Sequence, residues 1–280
     1  MNCYDCPRNC GIDRAKTLGY CKEKDKIRVS KVIENFKWEE PCISGDKGAL
    51  AIFFSGCNLR CEFCQNYDIS HEGKGEYYLP EEFANFLKSF DMTKYSSIDL
   101  ITPTHFSSLL AIAFENFESP IPVVWNSSGY EKEETIEKIA NFVDVFLPDF
   151  KYYSQELSQK YSGAKNYFPV ALAAIKKMRE MKKQNIFDGQ LLTEGVLIRH
   201  LVLPGQTEDS KKVLDAIKEN ISMPLISIMS QFTPTGRGDF ERKIYPLEYK
   251  LVLYYAEKIG LTDGYFQDFD SADDCFIPEF

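Results

Sequence analysis

No stretch of the 280 residues approaches the roughly 18 consecutive apolar residues of a membrane-spanning helix. The start, MNCYDCPRNC, also lacks the apolar core of a secretory leader. The expectation is a cytoplasmic chain with no membrane partner. Positive charge is scarce as well: 33 Lys and Arg against 42 Asp and Glu leave a net charge of −9 and a pI near 5.1. That balance excludes a broad footprint on nucleic acid or anionic lipid, so no nucleic-acid partner is expected. Low-complexity segments and long internal repeats are absent. With 44% hydrophobic and 27% charged residues, wholesale disorder is excluded too. The length suits one large domain, or one domain with a small appendage.

What the chain does have is cysteine. The nine are Cys3, Cys6, Cys10, Cys21, Cys42, Cys57, Cys61, Cys64 and Cys275. An oxidising compartment would leave at least one unpaired, whereas in a reducing one two tight groups point to metal rather than to disulfides. Random burial of apolar thiols does not group them this way. Cys42 and Cys275 stand alone, and simple burial accounts for them.

Residues 1–42 are polar and cysteine-rich, and Lys22–Arg28 reads as a solvated charged segment. Beyond them strand-like and helix-like stretches alternate. The strands are expected at Leu50–Ser55, Ile98–Thr102, Pro122–Trp125, Val143–Leu147, Val196–Leu203 and Leu225–Met229, short β-branched or aromatic runs of the kind buried parallel strands need. Helices are expected at Pro80–Phe90, Phe106–Phe117, Lys132–Ala140, Tyr167–Lys183, Asp209–Asn220 and Pro246–Ile259. Six such units in a row require parallel strands with right-handed crossovers. A polar group follows nearly every strand: Cys57–Cys64, Thr102–His105, Asn126–Gly129, Asp149–Lys151, Arg199-His200 and Gln231. In a β/α barrel all these strand ends meet at one mouth, so their clustering favours a full or partial barrel over an open doubly wound sheet.

The spacing C-x3-C-x2-C in GCNLRCEFCQN, directly after the first strand, suits thiolate ligation of an iron–sulfur cluster. Three local thiolates leave one iron without a protein ligand, and an open position marks a catalytic metal. Zinc with a remote fourth ligand is the competing reading. The motif, with Phe63 before its last cysteine, resembles the radical S-adenosylmethionine (SAM) superfamily. CPRNCGIDR, EEPCISGDKGALAIFFSGCNLRCEFCQNYDISH, ITPTHF, VVWNSSGY, FLPDFKYY, IRHLVLPGQTEDS and MSQFTP together resemble the pyruvate formate-lyase-activating-enzyme homologues over nearly the whole chain.

The alternation and the resemblance together give the expectation of a partial (β/α)6 TIM-like barrel over residues 43–280, and the cysteine grouping gives that of a small cysteine-rich, metal-binding extension over 1–42. The resemblance implies a [4Fe-4S] cluster on Cys57, Cys61 and Cys64 whose open iron takes SAM. One electron would then cleave SAM to a 5′-deoxyadenosyl radical that abstracts hydrogen from a substrate. Asp149 and Lys151 match the D-x-K pair that holds the amino-acid end of SAM in activating enzymes, and Arg199 matches a nearby arginine. Where the superfamily usually presents a G-G-E-like segment, this chain has Thr102-Pro103-Thr104-His105, and its hydroxyls can accept hydrogen bonds from the SAM amino group.

Other residues carry paired expectations. Phe63 stacks on adenine or packs the barrel top, and Asn126 and Ser128 contact ribose or form an ordinary turn. His105 and His200 relay protons, shape the substrate cavity or are structural. Lys176, Lys177, Arg179, Lys182 and Lys183 form a basic helix face, either solvated or a dock for a one-electron donor such as flavodoxin or ferredoxin. Cys3, Cys6, Cys10 and Cys21, spaced C-x2-C-x3-C-x10-C, form a second metal site holding structural zinc or another [4Fe-4S] cluster. The expected substrate is a glycyl-radical enzyme, or else a peptide or small molecule. A non-enzymatic iron–sulfur carrier is the remaining alternative, but a carrier needs no mouth lined by polar groups.

Overall fold

The computed structural model describes residues 3–268; Cys275 lies outside them. Among the described residues ten strands form one sheet: β1 (Ile27–Phe36), β2 (Ala49–Phe54), β3 (Glu76–Tyr78), β4 (Ser97–Ile101), β5 (Val123–Ser127), β6 (Val145–Pro148), β7 (Ile186–Asp188), β8 (Leu191–Leu201), β9 (Leu225–Met229) and β10 (Gly264–Phe266). Among the same residues eight α-helices accompany them: α1 (Pro41–Ser44), α2 (Pro80–Lys88), α3 (Ser107–Phe114), α4 (Glu133–Ile139), α5 (Gln155–Ser162), α6 (Tyr167–Met181), α7 (Thr207–Asn220) and α8 (Pro246–Lys258). The sheet order is β10-β9-β8-β6-β5-β4-β2-β1-β3, with β7 hairpinned onto β8.

All six expected strands are present, at most shifted at their ends, and they run parallel from β2 to β9. A further parallel strand, β10, continues them beside β9. Among the described residues the two edges do not meet, so the architecture is the expected partial barrel. Strands β2, β4, β5, β6 and β9 are buried along their whole length, as strands covered on both faces must be. Helix α2 begins where Pro80 sets the first turn, and its Glu82 carboxylate accepts from the Leu79 N–H at 2.7 Å.

Strand β1 departs from the sequence reading, which left residues 27–36 in the extension. It pairs antiparallel with β2 and β3, so the sheet takes in the end of that segment. Its pattern hides the strand because the register shifts twice, between Val29 and Lys31 and between Ile33 and Phe36, which breaks the alternation of apolar residues. Asn35 takes φ +55° at the second irregularity. Gly48 lies against it so closely that an added Cβ would stand 2.4 Å from the Asn35 carbonyl carbon. Helix α5 also escapes the pattern, being short and largely polar. It forms because Ser154 Oγ accepts from Leu157 N at 3.2 Å and Gly163 ends it at φ +62°.

Glu131 positions the strand ends. It follows β5, is buried, and accepts from Trp125 Nε1 at 2.6 Å, Thr104 Oγ1 at 2.9 Å and Ser127 Oγ at 3.0 Å. One carboxylate thereby joins the loop after β4 to two residues of β5. Replacing Glu131 by alanine strands three buried donors, each costing about 1–3 kcal/mol. A Glu131→Ala variant is expected to lose at least ~3 kcal/mol in urea unfolding, with Glu131→Gln intermediate. An alanine variant within about 1 kcal/mol of the parent would show that the carboxylate does not organise these loops.

Candidate active site

The polar groups after the strands converge on one cavity of about 230 Å³. Cys57, Cys61, Phe63 and Cys64 border it from the loop after β2, and Thr102 from the loop after β4. Asn126 and Ser128 come from β5 and its loop, Asp149 and Lys151 from beyond β6, Arg199 from β8, and Gln231 from beyond β9. Parallel strands bring these residues together because the carboxyl ends of all of them face the same side.

The thiols are packed among apolar neighbours, and burial pushes Cys57 up to about 12 and Cys64 up to about 11, with Cys61 also raised. A metal reverses this logic by deprotonating coordinating thiols outright. Each sulfur also has a polar neighbour. Leu59 N donates to Cys57 Sγ at 3.4 Å, Ser162 Oγ lies 3.0 Å from Cys61 Sγ, and Ser70 Oγ lies 3.3 Å from Cys64 Sγ. Three soft sulfurs with hydrogen-bond donors at hand fit an iron–sulfur cluster, whose properties depend on such bonds. Among the described residues, no three His, Cys, Asp or Glu side chains close on a point as a single ion requires. The barrel thiols border a cavity instead.

Facing them is a compact ion network. Lys151 Nζ pairs with Asp149 Oδ2 at 2.6 Å, and Arg199 Nε donates to Asp149 Oδ1 at 3.0 Å. Arg199 also pairs through Nη1 with Glu39 Oε2 at 2.6 Å and donates through Nη2 to Asn126 Oδ1. Burial opposes the Asp149 charge, but Lys151 and Arg199 outweigh it and hold its carboxyl below the usual range. Burial likewise opposes the Arg199 charge, and Asp149 and Glu39 outweigh it. Glu39 and buried Asp99 behave differently: burial raises both carboxyls and favours their neutral forms, although Arg199 opposes it. Asn126 Nδ2 bridges these two acids, at 3.2 Å from Glu39 and 3.3 Å from Asp99.

Sequence reasoning missed Glu39 and its neighbour Trp38, which line the cavity from the connection between β1 and α1. A carboxylate and an aromatic ring in a charged stretch give no local signal. Thr102 carries another feature invisible in sequence: this β-branched residue sits at φ +62° while its N–H bonds Asn126 O at 2.8 Å. Strain of this kind persists only where the surroundings impose it, commonly at functional sites.

Several candidates lie away from the cavity. Thr104 is buried and turned to Glu131. His105 is buried with Nε2 2.7 Å from Ser55 O, and burial lowers its pKa to about 3. His200 is buried with Nδ1 2.8 Å from Phe150 O, and burial lowers its pKa as well. Burial favours the neutral form of both imidazoles and neither borders the cavity, so their geometry supports the structural reading over the relay. Phe63 borders the cavity while packing edge-on against Phe232 and Phe240. The basic face of α6 does not exist as one surface. Arg179 is buried and donates to Asn185 and Val196 O, Lys177 pairs with Glu137 at 2.5 Å, and Lys182 pairs with Glu194 at 4.0 Å. Helical spacing turned Arg179 inward and acids on neighbouring segments took up two of the lysines.

The amino-terminal cysteines come near one another. Cys6 feels the charges of Cys21, Cys3 and Cys10, and burial pushes its pKa up to about 12. The segment is tied to the cavity loops. Arg8 donates to Asn58 O and Gly163 O, both at 2.7 Å, and Arg60 donates to Tyr20 O. Arg14 donates to His105 O at 2.6 Å, which gives the loop after β4 a structural task.

A sequence model of the Radical SAM superfamily matches residues 51–217. An uncharacterized protein of Methanocaldococcus jannaschii is 30% identical over 278 residues, 93% of this chain and 75% of that one. Among solved structures, a domain of a pyruvate-formate lyase-activating enzyme from Bacteroides vulgatus aligns with a TM-score of 0.43 and 12% identity, covering 59% of this chain and 91% of that one.

Gly56 links the cavity loop to the amino-terminal segment. It sits at φ +78°, and an added Cβ would stand 2.7 Å from the Cys21 carbonyl oxygen. Gly56→Ala is expected to cost on the order of 1–3 kcal/mol and to hasten proteolysis within residues 3–26. Melting and cleavage unchanged from the parent would mean that the two segments are not locked together here.

Proposed function

The chain belongs to the radical SAM superfamily, and from that membership we propose that it is an enzyme cleaving SAM reductively at a [4Fe-4S] cluster held by Cys57, Cys61 and Cys64. The carrying observation is that these three thiols share one cavity with the Asp149–Lys151–Arg199 network. When bound, cluster and SAM supply one-electron cleavage of the sulfonium, giving methionine and a 5′-deoxyadenosyl radical able to take a hydrogen atom.

The residues of the chain bind, orient and shield. The Lys151 ammonium is within electrostatic reach of all three thiols and favours their ionised form. Ser162 and Ser70 hydroxyls donate to ionised sulfur. Asp149 is the natural acceptor for the SAM amino group, while Lys151 and Arg199 suit its carboxylate. Asn126, Ser128 and Thr102 offer polar groups for the amino-acid end or the ribose, and Phe63 offers a ring face for adenine. This cavity of converging polar groups supports an enzyme rather than an electron carrier.

The hydrogen donor is a backbone glycine of a glycyl-radical enzyme or a carbon of another peptide or small molecule; deuterium transfer into 5′-deoxyadenosine identifies it. The chemistry requires a one-electron donor of the flavodoxin or ferredoxin kind. For Cys3, Cys6, Cys10 and Cys21 we infer a second metal centre, supported by their mutual electrostatic proximity; metal binding would have to draw the sulfurs closer, since among the described residues no three of them converge as a single ion requires. Arg8, between Cys6 and Cys10 in sequence, donates to Asn58 O and would set such a centre near the cavity loop.

Reduced, reconstituted protein is expected to yield 5′-deoxyadenosine and methionine from SAM. A triple Cys57→Ala, Cys61→Ala, Cys64→Ala variant is expected to yield neither, yet to retain metal on the amino-terminal thiols. One zinc per chain identifies a structural staple, and about four irons with sulfide identify an auxiliary cluster. Cleavage by the triple variant overturns the first assignment, and a metal-free triple variant overturns the second.

Asp149→Asn and Lys151→Met are each expected to weaken SAM binding on the order of 10- to 150-fold, the equivalent of losing one charged hydrogen bond, with cluster absorbance unchanged. Parent-like affinity in both variants would remove the pair from the SAM site.

A further inference from the structure

Beside the thiol-lined cavity lies a second chamber of about 300 Å³. The two share Trp38, Glu39, Arg199, Met229 and Gln231 as walls, so a molecule in one reaches the edge of the other. Strand register builds the far side: Arg199 of β8 and Tyr265 of β10 flank Ser227 of β9 at the same level. Ser227 is 1% exposed and borders the chamber, and among the described residues its Oγ has no hydrogen-bond partner. Glu40 borders it as well, and its Oε2 is buried without a partner among the described residues.

The ion balance leaves Glu40 apart. Arg199 is matched to Asp149 and Glu39, and Lys151 to Asp149. Lys37, the other cation bordering the chamber, is exposed and makes no ion pair with Glu40 among the described residues. Among the described residues Glu40 makes no ion pair, and with burial as the larger influence its charge adds to the raised pKa of Glu39, Cys42 and Tyr265; Arg199 feels it too, after Asp149 and Glu39. Buried oxygen acceptors that lack donors cost stability until a ligand supplies them. Trp38, Tyr265 and Phe266 complete the lining with aromatic rings, whose faces attract cations.

We propose that this chamber binds the positively charged end, a primary ammonium or guanidinium, of the molecule on which the adjoining cavity acts. The proposal rests on reading that cavity as the SAM site. A cationic head would give Glu40 its counter-ion and Ser227 a donor, while the rest of the molecule would extend past Glu39 and Arg199 toward the thiols. A free amine and a lysine or arginine side chain of a peptide share this chemistry.

The test uses the full chain and the fluorescence of Trp38. The other tryptophan, Trp125, is wholly buried and bonded to Glu131, away from the chamber. The probes are n-butylammonium, n-butylguanidinium, neutral butyramide, and an acetylated, amidated Gly-Lys-Gly peptide. The cations are expected to bind about tenfold or more tightly than butyramide, with Trp38→Phe abolishing the signal. Glu40→Gln is expected to weaken the cations about tenfold without affecting butyramide, and Ser227→Ala to weaken them by a smaller factor. Tighter binding of the peptide than of butylammonium assigns the cation to a peptide side chain, and the reverse to a free amine. Equal binding of butylammonium and butyramide, or parent-like cation affinity in Glu40→Gln, overturns the proposal. If SAM is cleaved while cations are ignored, this inference alone fails. If cations bind as expected but SAM is never cleaved, the SAM-site reading on which it rests fails instead.

Discussion

The Arg199 guanidinium ties together parts of the chain that are far apart in sequence. Through it β8 is joined to Asp149 beyond β6, to Asn126 of β5 and to Glu39 of the connection between β1 and α1. A buried cation is expensive, and the expense is met only when opposite charges and acceptors surround it in good geometry. Each of those groups is therefore constrained by the others. The position of Glu39, and with it the connection that walls both chambers, follows from this one charge.

A second constraint acts from outside the mouth. The amino-terminal segment reaches the cavity loops with arginines, Arg8 onto the loops that hold Asn58 and Gly163 and Arg14 onto His105. Arginine suits this work because several carbonyls can be met by one rigid donor fork. Tyr20 receives Arg60 through its carbonyl while Arg8 stacks on its ring at 3.8 Å. The four amino-terminal thiols are thus carried on a segment whose shape depends on the thiol loop of the barrel, and the two cysteine groups are mechanically joined.

The site sorts its acids by neighbour rather than by depth. Asp149, between two cations, is held toward its ionised form; Asp99, buried on β4 with Oδ1 unpartnered among the described residues, is pushed toward its neutral form. Opposite-charge pairing prevails over desolvation in the first case and desolvation prevails in the second. The charge available to a ligand is thereby concentrated on the cavity side of the network.

The sequence by itself determined the order of elements and the local motifs. Six buried strands read directly as apolar runs because parallel strands covered on both faces carry no polar alternation to obscure them. The C-x3-C-x2-C group was legible because three ligands on one short loop need no partner from elsewhere, and Asp149 and Lys151 because they too are neighbours in sequence. Only the tertiary structure decided the rest. The bulged strand β1 has no clean period, and the roles of His105, His200 and Arg179 turned on which way each side chain faced. Glu39, Glu40 and Ser227 acquire meaning only where the connection after β1 comes to lie against the adjacent strands β8, β9 and β10. Short-range pattern records what adjacent residues require of one another. Burial, charge balance and cavity walls are sums over distant segments, and folding is what adds them.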